Sequence, residues 1–223
     1  MLRLTTFGAL AVHRDGTALG GAASQRRRLA LLAVLAASGD RGVPRDKLVT
    51  YFWPESDEKH ARHSLTQALY SLGRDLRENE LVVGTADLRL NAAVMSSDVG
   101  DFTAAAATGD DLRAVTLYAD PFLDGCHLAD APEFERWADA ERARLAATAR
   151  AALERLATAD TRAGDHARAA DWWRRLAALE PLDARVAAGY MTALALAGNT
   201  TGAIQHARVH ETLVRAELDA PPD

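Results

Sequence analysis

Apolar and polar positions divide the chain into two regions of different period. Over the first 20 residues short apolar groups, Leu2 with Leu4 and Leu10 with Val12, alternate with polar positions. They are interrupted by Asp15-Gly16 and then Gly20-Gly21, which predicts short strands joined by tight turns. Ser24 is placed to cap a helix reaching about Ser38, with Leu29, Leu32 and Leu35 on its inner face and Gly39 to stop it. Pro44 suits the first turn of a second helix through Leu48, Val49 and Phe52, bounded by Pro54. A third helix is predicted over 58–78, because Ala61, Leu65, Leu69, Leu72 and Leu76 fall on one stripe at 100° per residue. The run LVVGTADLRLN then reads as a β-hairpin over 81–91 turning at Gly84 to Asp87. Strands, three helices and a hairpin in that order are the pattern of a winged helix, whose third helix can enter a DNA groove.

After Asp98 the period becomes helical throughout. Gly109-Asp110, Gly164-Asp165 and Gly198-Asn199 each precede an alanine by the same offset, and the last two pairs lie 34 residues apart, the period of a tetratricopeptide-type helical hairpin. Pro181 closes one such hairpin before the next begins. The first pair is 55 residues away, so a longer element with PFLDG and a helix from Pro132 must intervene. The fold class expected is mainly α with small β elements: a winged helix-turn-helix domain over 1–98, then an α-helical tetratricopeptide-like bundle over 99–223.

Composition sharpens this division. The 223 residues carry a net charge of −5, which alone would argue against nucleic acid. Residues 1–98 hold 13 Lys and Arg against 11 Asp and Glu, whereas the remainder holds 13 against 20, so the acid belongs to the second half. Alanine, the strongest helix former, follows it, with 34 of 48 beyond residue 100. The longest apolar run, Leu29 to Ala37, is far short of the ~20 residues of a membrane span, and the N-terminus lacks the continuous apolar stretch of a signal peptide. The lone Cys126 has no internal partner, which suits a reducing cytoplasm, where the Asn199-Thr200-Thr201 acceptor pattern carries little meaning.

Signatures of catalysis are missing: no phosphate loop, no dinucleotide fingerprint, no nucleophile elbow and no cysteine pair occurs. No cofactor or metal is expected. His206 and His210 stand one turn apart and could face one ion, but no third ligand accompanies them, and a helical pair in the core or on the surface is the simpler reading. Asp110 and Asp111 are read as helix-capping residues rather than a phosphoacceptor pair. The polar side of the third helix is more informative. Opposite the apolar stripe stand His63, Gln67, Tyr70 and Arg74, with His60, Thr66, Ser71 and Arg77 at the margins and no acid in the central row. Gln can read adenine and Arg guanine in the major groove, while hydroxyls reach phosphates or base edges. Arg62, Lys59, Lys47 and the hairpin's Arg89 are candidate backbone contacts, and Arg26-Arg27-Arg28 open the first helix where cations need a compensating anion, such as a phosphate.

Blocks along nearly the whole chain carry a resemblance: LRLTTFGALAV, QRRRLALLAVLA, VPRDKLVTYFWP, ARHSLTQALYSL and SDVGDF, then LYADPFLDGCHLADAPEFERWADAERARL and WWRRLAALEPLDARV. In this order and spacing they resemble the SARP-type bacterial regulators, an OmpR-like winged helix followed by a bacterial transcriptional activator domain. The resemblance implies an activator that binds repeated promoter sites as a homodimer and recruits RNA polymerase. It maps the recognition helix onto 61–76 and the polymerase-facing loop onto Pro54, Glu55, Ser56, Asp57 and Glu58. Thr66, Ser71 and Gly73 stand where family members often carry cations or continue a basic run. With three cations fewer and a glycine costing the helix about 1 kcal/mol relative to alanine, the expectation is a fraying helix end and DNA binding that is weaker, more salt-sensitive or more partner-dependent. The competing reading is a protein-binding scaffold in which Trp137, Trp172 and Trp173 either anchor a partner or pack the helical core.

Overall fold

The computed structural model describes residues 1–20 and 25–218, so the expected Ser24 cap and the second residue of the Gly20-Gly21 pair lie outside the described residues. Two compact units form: Met1–Gly109 with Thr116–Ala146, and Asp110–Val115 with Ala147–Asp223.

In the first unit, β1 (Leu2–Thr5), β2 (Ala11–Arg14) and β3 (Thr17–Ala18) make an antiparallel meander. The β2–β3 turn uses left-handed Asp15 and Gly16, with φ of 50° and 83°, the backbone a two-residue hairpin turn demands. A strand that the sequence pattern did not predict, β7 (Met95–Ser97), pairs in parallel with β1 and completes the order β3-β2-β1-β7. Helix α1 (Arg26–Ser38) is buried on every side from Leu29 to Ala36 rather than along one face, because helices and strands surround it. Pro44 does not enter the second helix. Val43 and Pro44 form β4, which pairs with Leu88 and Asp87 of β6 (Asp87–Leu90), and Pro44 caps α2 (Arg45–Phe52) from outside. The hairpin of β5 (Val82–Val83) and β6 joins β4 in a second sheet, ordered β4-β6-β5. Helix α3 spans Glu58–Asp75, three residues shorter than its periodicity predicts.

The segment after α4 (Asp98–Thr108) builds into this same unit. Thr6 accepts a bond from Leu123 N–H at 2.7 Å and Gly8 N–H donates to Pro121 at 3.0 Å, so the PFL tripeptide is stapled beside the end of β1. Phe7 meets Phe102, Tyr118 and Phe122 edge-on. Asp98, buried, accepts from Thr6 N–H, Thr6 Oγ1, Phe7 N–H and Val99 N–H at 2.6–3.0 Å. Trp137, near the start of α6 (Pro132–Ala163), sits among Tyr51, Phe122 and Phe134 with ring centroids about 6 Å apart.

The second unit takes α5 (Asp111–Leu117) only as far as Val115, the later part of α6, then α7 (His166–Leu179), α8 (Ala184–Leu196) and α9 (Thr200–Leu218). Each glycine-led punctuation mark is a stop followed by a start. Gly109, Gly164 and Gly198 adopt φ of 75°, 81° and 83°, and the next residue's side chain caps the following helix by accepting from the third N–H onward. Asp111 forks onto Arg155 at 2.6 and 2.8 Å. Trp172 donates to Asp160 at 2.7 Å, and Trp173 lies against Gly189, where a Cβ would stand 2.9 Å from the indole ring. Both side chains are half-buried and engaged within the bundle.

Candidate nucleic-acid interface

Helix α3 stands as a ridge between two clefts. Its inner stripe seals the unit, with Ala61, Leu65, Leu72 and Leu76 buried and Leu69 half-buried. Asp57 begins it, accepting from His60 N–H at 3.1 Å, and that bond, followed by the His60 imidazole, holds the Asp57 carboxyl below its ordinary range. On the outer side His63, Thr66, Gln67, Tyr70, Arg74 and Arg77 are all exposed, Tyr70 at 70%, and Ser71 is half-buried. One flank opens a cleft of about 260 Å³ lined by Gln67 and Ser71 with Arg27, Arg28 and Trp53. The other, of about 380 Å³, lies between α3 and the hairpin, lined by Arg62, Thr66, Arg45, Asp46, Ala86 and Asp87. A ridge with polar, hydrogen-bonding side chains between two recesses has the shape and chemistry to enter a duplex groove with the strand walls on either side.

The cations differ in how free they are. The Arg27 and Arg28 positions, expected to await a phosphate, already have their anions: Arg27 bonds Phe52 O at 2.6 Å and pairs with Asp130, and Arg28 pairs with Asp75 at 2.8 Å. Asp75 also takes both Nε and Nη2 of Arg74, at 3.0 and 2.9 Å. Two guanidiniums therefore share one carboxylate around Arg74. Around Arg62 the balance reverses, with Asp46 at 3.1 Å and Glu58 at 2.7 Å on one guanidinium. Lys59 is exposed, Lys47 lies 5.6 Å from the Tyr51 ring, and Arg89 reaches from β6 to Asp40 O at 3.5 Å. Residues 54–58 form an exposed turn into α3. The pairs Arg62–Glu58, one turn apart, and Arg74–Asp75, adjacent, are local, whereas Arg62–Asp46 and Arg28–Asp75, 16 and 47 residues apart, carry no signal in the sequence.

Gly73 has a role that its helix propensity conceals. Glu78 N–H donates to Gly73 O at 2.8 Å, Arg77 takes φ of 51°, and a Cβ on Gly73 would stand 2.9 Å from the Glu78 carbonyl oxygen. The chain folds back over the last turn of α3 only because that side chain is missing, and Arg14 reinforces the turn through Leu76 O and Glu78. The helix end is thus tied down rather than frayed. Gly73→Ala is expected to destabilise the protein by about 1–2 kcal/mol, where propensity alone predicts a gain of about 1; thermal unfolding of the two proteins gives the sign directly.

Elsewhere, His206 and His210 share a helix face; His210 bonds Pro181 O at 3.0 Å, and burial, with the neighbouring His210, pushes the His206 imidazole below its ordinary value. Among the described residues no group of three or more His, Cys, Asp or Glu is arranged to hold a metal ion, and no helix is long and apolar enough to cross a membrane.

A helix-turn-helix with a three-stranded wing sheet, joined to a bundle of capped helical hairpins, defines a winged-helix protein with a helical partner region. The sequence profile of the bacterial transcriptional activator domain matches residues 86–223. The chain therefore belongs to the bacterial transcriptional activator domain family, a family of transcriptional regulators, and the SARP-type resemblance is borne out. Among solved structures it is similar to EmbR of Mycobacterium tuberculosis, determined in complex with a low-affinity phosphopeptide, with a TM-score of 0.65 and 22% identity. That match covers 100% of this chain and 62% of EmbR's, so the chain spans under two thirds of its neighbour, and at this identity the likeness is one of fold. No curated protein matches the sequence.

Proposed function

We propose that this chain is a transcriptional activator that binds double-stranded promoter DNA through α3, acting in the cytoplasm. The observation that carries the reading is the exposed row His63, Gln67, Tyr70 and Arg74 on a ridge between two clefts, with Thr66, Ser71 and Arg77 beside it. In this reading Gln67 and Arg74 contact base edges or phosphates, Arg62, Lys59, Lys47 and Arg89 approach the strands, and the hairpin braces the complex. Residues 1–98 act as the DNA reader and residues 99–223 as the activator region, whose acidity discourages indiscriminate adhesion to DNA. The exposed turn Pro54, Glu55, Ser56, Asp57 and Glu58 faces RNA polymerase, and two copies bind repeated sites as a homodimer.

Gln67→Ala and Arg74→Ala test the assignment against a salt series on duplexes from the DNA upstream of the chain's own gene. Arg74→Ala is expected to weaken binding and, as a phosphate contact, to flatten the dependence of log Kd on log salt by about 0.9; as a base contact it relaxes base choice at one position. Gln67→Ala is expected to lose discrimination worth about 1–3 kcal/mol at an adenine. Variants that bind every duplex like the parent, with the same salt slope, would remove both residues from the interface.

A further inference from the structure

The two arginines of α3 sit in different electrostatic settings. Arg74 shares the carboxylate of Asp75, whose side chain is 11% exposed, with Arg28. Arg62 faces two carboxylates, Asp46 from the first turn of α2 and Glu58 from the first turn of α3, so that trio is net negative. All three groups of the Arg62 cluster are well exposed, and Asp46 and Arg62 line the cleft between α3 and the hairpin, with Asp87 on its far side. Arg45 lines the same cleft with its Nε donating to Thr85 O at 2.7 Å, so there Arg62 is the arginine held by carboxylates.

Resting on the DNA-binding reading above, we propose that Asp46 and Glu58 are affinity-determining residues that compete with DNA phosphate for Arg62. In the free protein the guanidinium is bound by carboxylates; in the complex it exchanges them for a phosphate oxygen, and the displaced carboxylates remain beside the strand and oppose it. The exchange releases fewer counterions than a bare arginine would, because the cation was already neutralised. Binding is therefore weak at low salt and changes comparatively little as salt rises, in place of the greater salt sensitivity expected from the missing cations.

The test is a set of four proteins, the parent, Asp46→Asn, Arg62→Ala and the double variant, titrated into a labelled mixed-sequence duplex and a duplex from the upstream DNA, each across a salt series. Asp46→Asn is expected to tighten binding about threefold to fivefold at low salt, the range of an exposed ion pair, with a steeper salt slope and convergence on the parent at high salt. Adding Glu58→Gln extends the gain to about tenfold. In the Arg62→Ala background the gain from Asp46→Asn disappears, which distinguishes competition for Arg62 from a general change of charge. A parent that binds with Asp46→Asn unchanged, or a gain of the same size without Arg62, overturns the proposal and leaves DNA binding intact. A parent that binds neither duplex overturns both readings. Unchanged unfolding curves for Asp46→Asn exclude a folding defect as the source of any difference.

Discussion

Replacing Asp98 with alanine is expected to lower the unfolding free energy by on the order of 4 kcal/mol. The carboxylate accepts from three backbone N–H groups and one hydroxyl at 2.6–3.0 Å, and both Thr6 and Asp98 are buried, so truncation leaves several donors without acceptors in a site shielded from water. Bonds to a charged acceptor contribute about 1.5–3 kcal/mol each, and orphaned buried donors cost a similar amount, with partial relief where water can enter. Asp98→Asn keeps the shape but turns an amide N–H₂ toward some of these donors, so about half the loss is expected. The loss propagates beyond one residue, because Thr6 and Phe7 lie where β1 ends, next to the PFL staple and the Phe7, Phe102, Tyr118 and Phe122 cluster. Urea unfolding should show a lower midpoint with little change in slope. A loss below about 1 kcal/mol would mean that the network is not what joins β1 to α4.

Gly84→Ala is the second large effect. Gly84 turns the β5–β6 hairpin at φ of 100°, and a Cβ there would stand 2.0 Å from the Asp87 carbonyl oxygen, within the backbone rather than against a movable side chain. The hairpin must change its path to admit it. A cost on the order of 3 kcal/mol is expected from the strained φ and the lost pairing of Val82 with Leu90 and Val83 with Arg89. Because β6 also pairs with β4, the disturbance reaches the start of α2. Amide exchange should accelerate at Val82, Val83, Arg89 and Leu90; parent-like protection there would show that the turn tolerates a side chain. If the hairpin braces a bound duplex, DNA affinity falls with it.

What could be seen in the sequence was what local rules encode. The stripe Ala61, Leu65, Leu69, Leu72 and Leu76 locates α3, and Gly-Asp and Gly-Asn pairs locate helix ends in the second unit, because each depends on neighbours within one or two turns. The short strands β4 and β7 were invisible: two and three residues carry no period, and they exist only through partners such as β6 and β1 far along the chain. Composition changes at Asp98, yet the PFL staple and the first part of α6 compact with the N-terminal residues, through the rings of Phe122, Phe134 and Trp137 and the Arg27–Asp130 pair, contacts that composition does not encode. The exposed polar row on α3 was legible because it is defined by the same stripe it opposes. Its electrostatics were legible only in part: Glu58 and Asp75 stand within one turn of Arg62 and Arg74, but Asp46 joins Arg62 and Arg28 joins Asp75 by tertiary approach. The role of Gly73 depends on the backbone path to Glu78 after the helix, which helix propensity does not describe.

Major-groove binding by α3, as proposed, is accessible to methylation interference: upstream DNA, sparsely methylated at guanine N7 and adenine N3, is mixed with the parent protein at low salt, and the bound and free fractions are cleaved and compared. Guanine N7 faces the major groove and adenine N3 the minor groove. With α3 in the major groove, the bound fraction is expected to be depleted in N7-methylated guanines at two repeated clusters, one for each copy of the protein. A bound fraction with no N7 depletion, or no duplex retained above background, would contradict it.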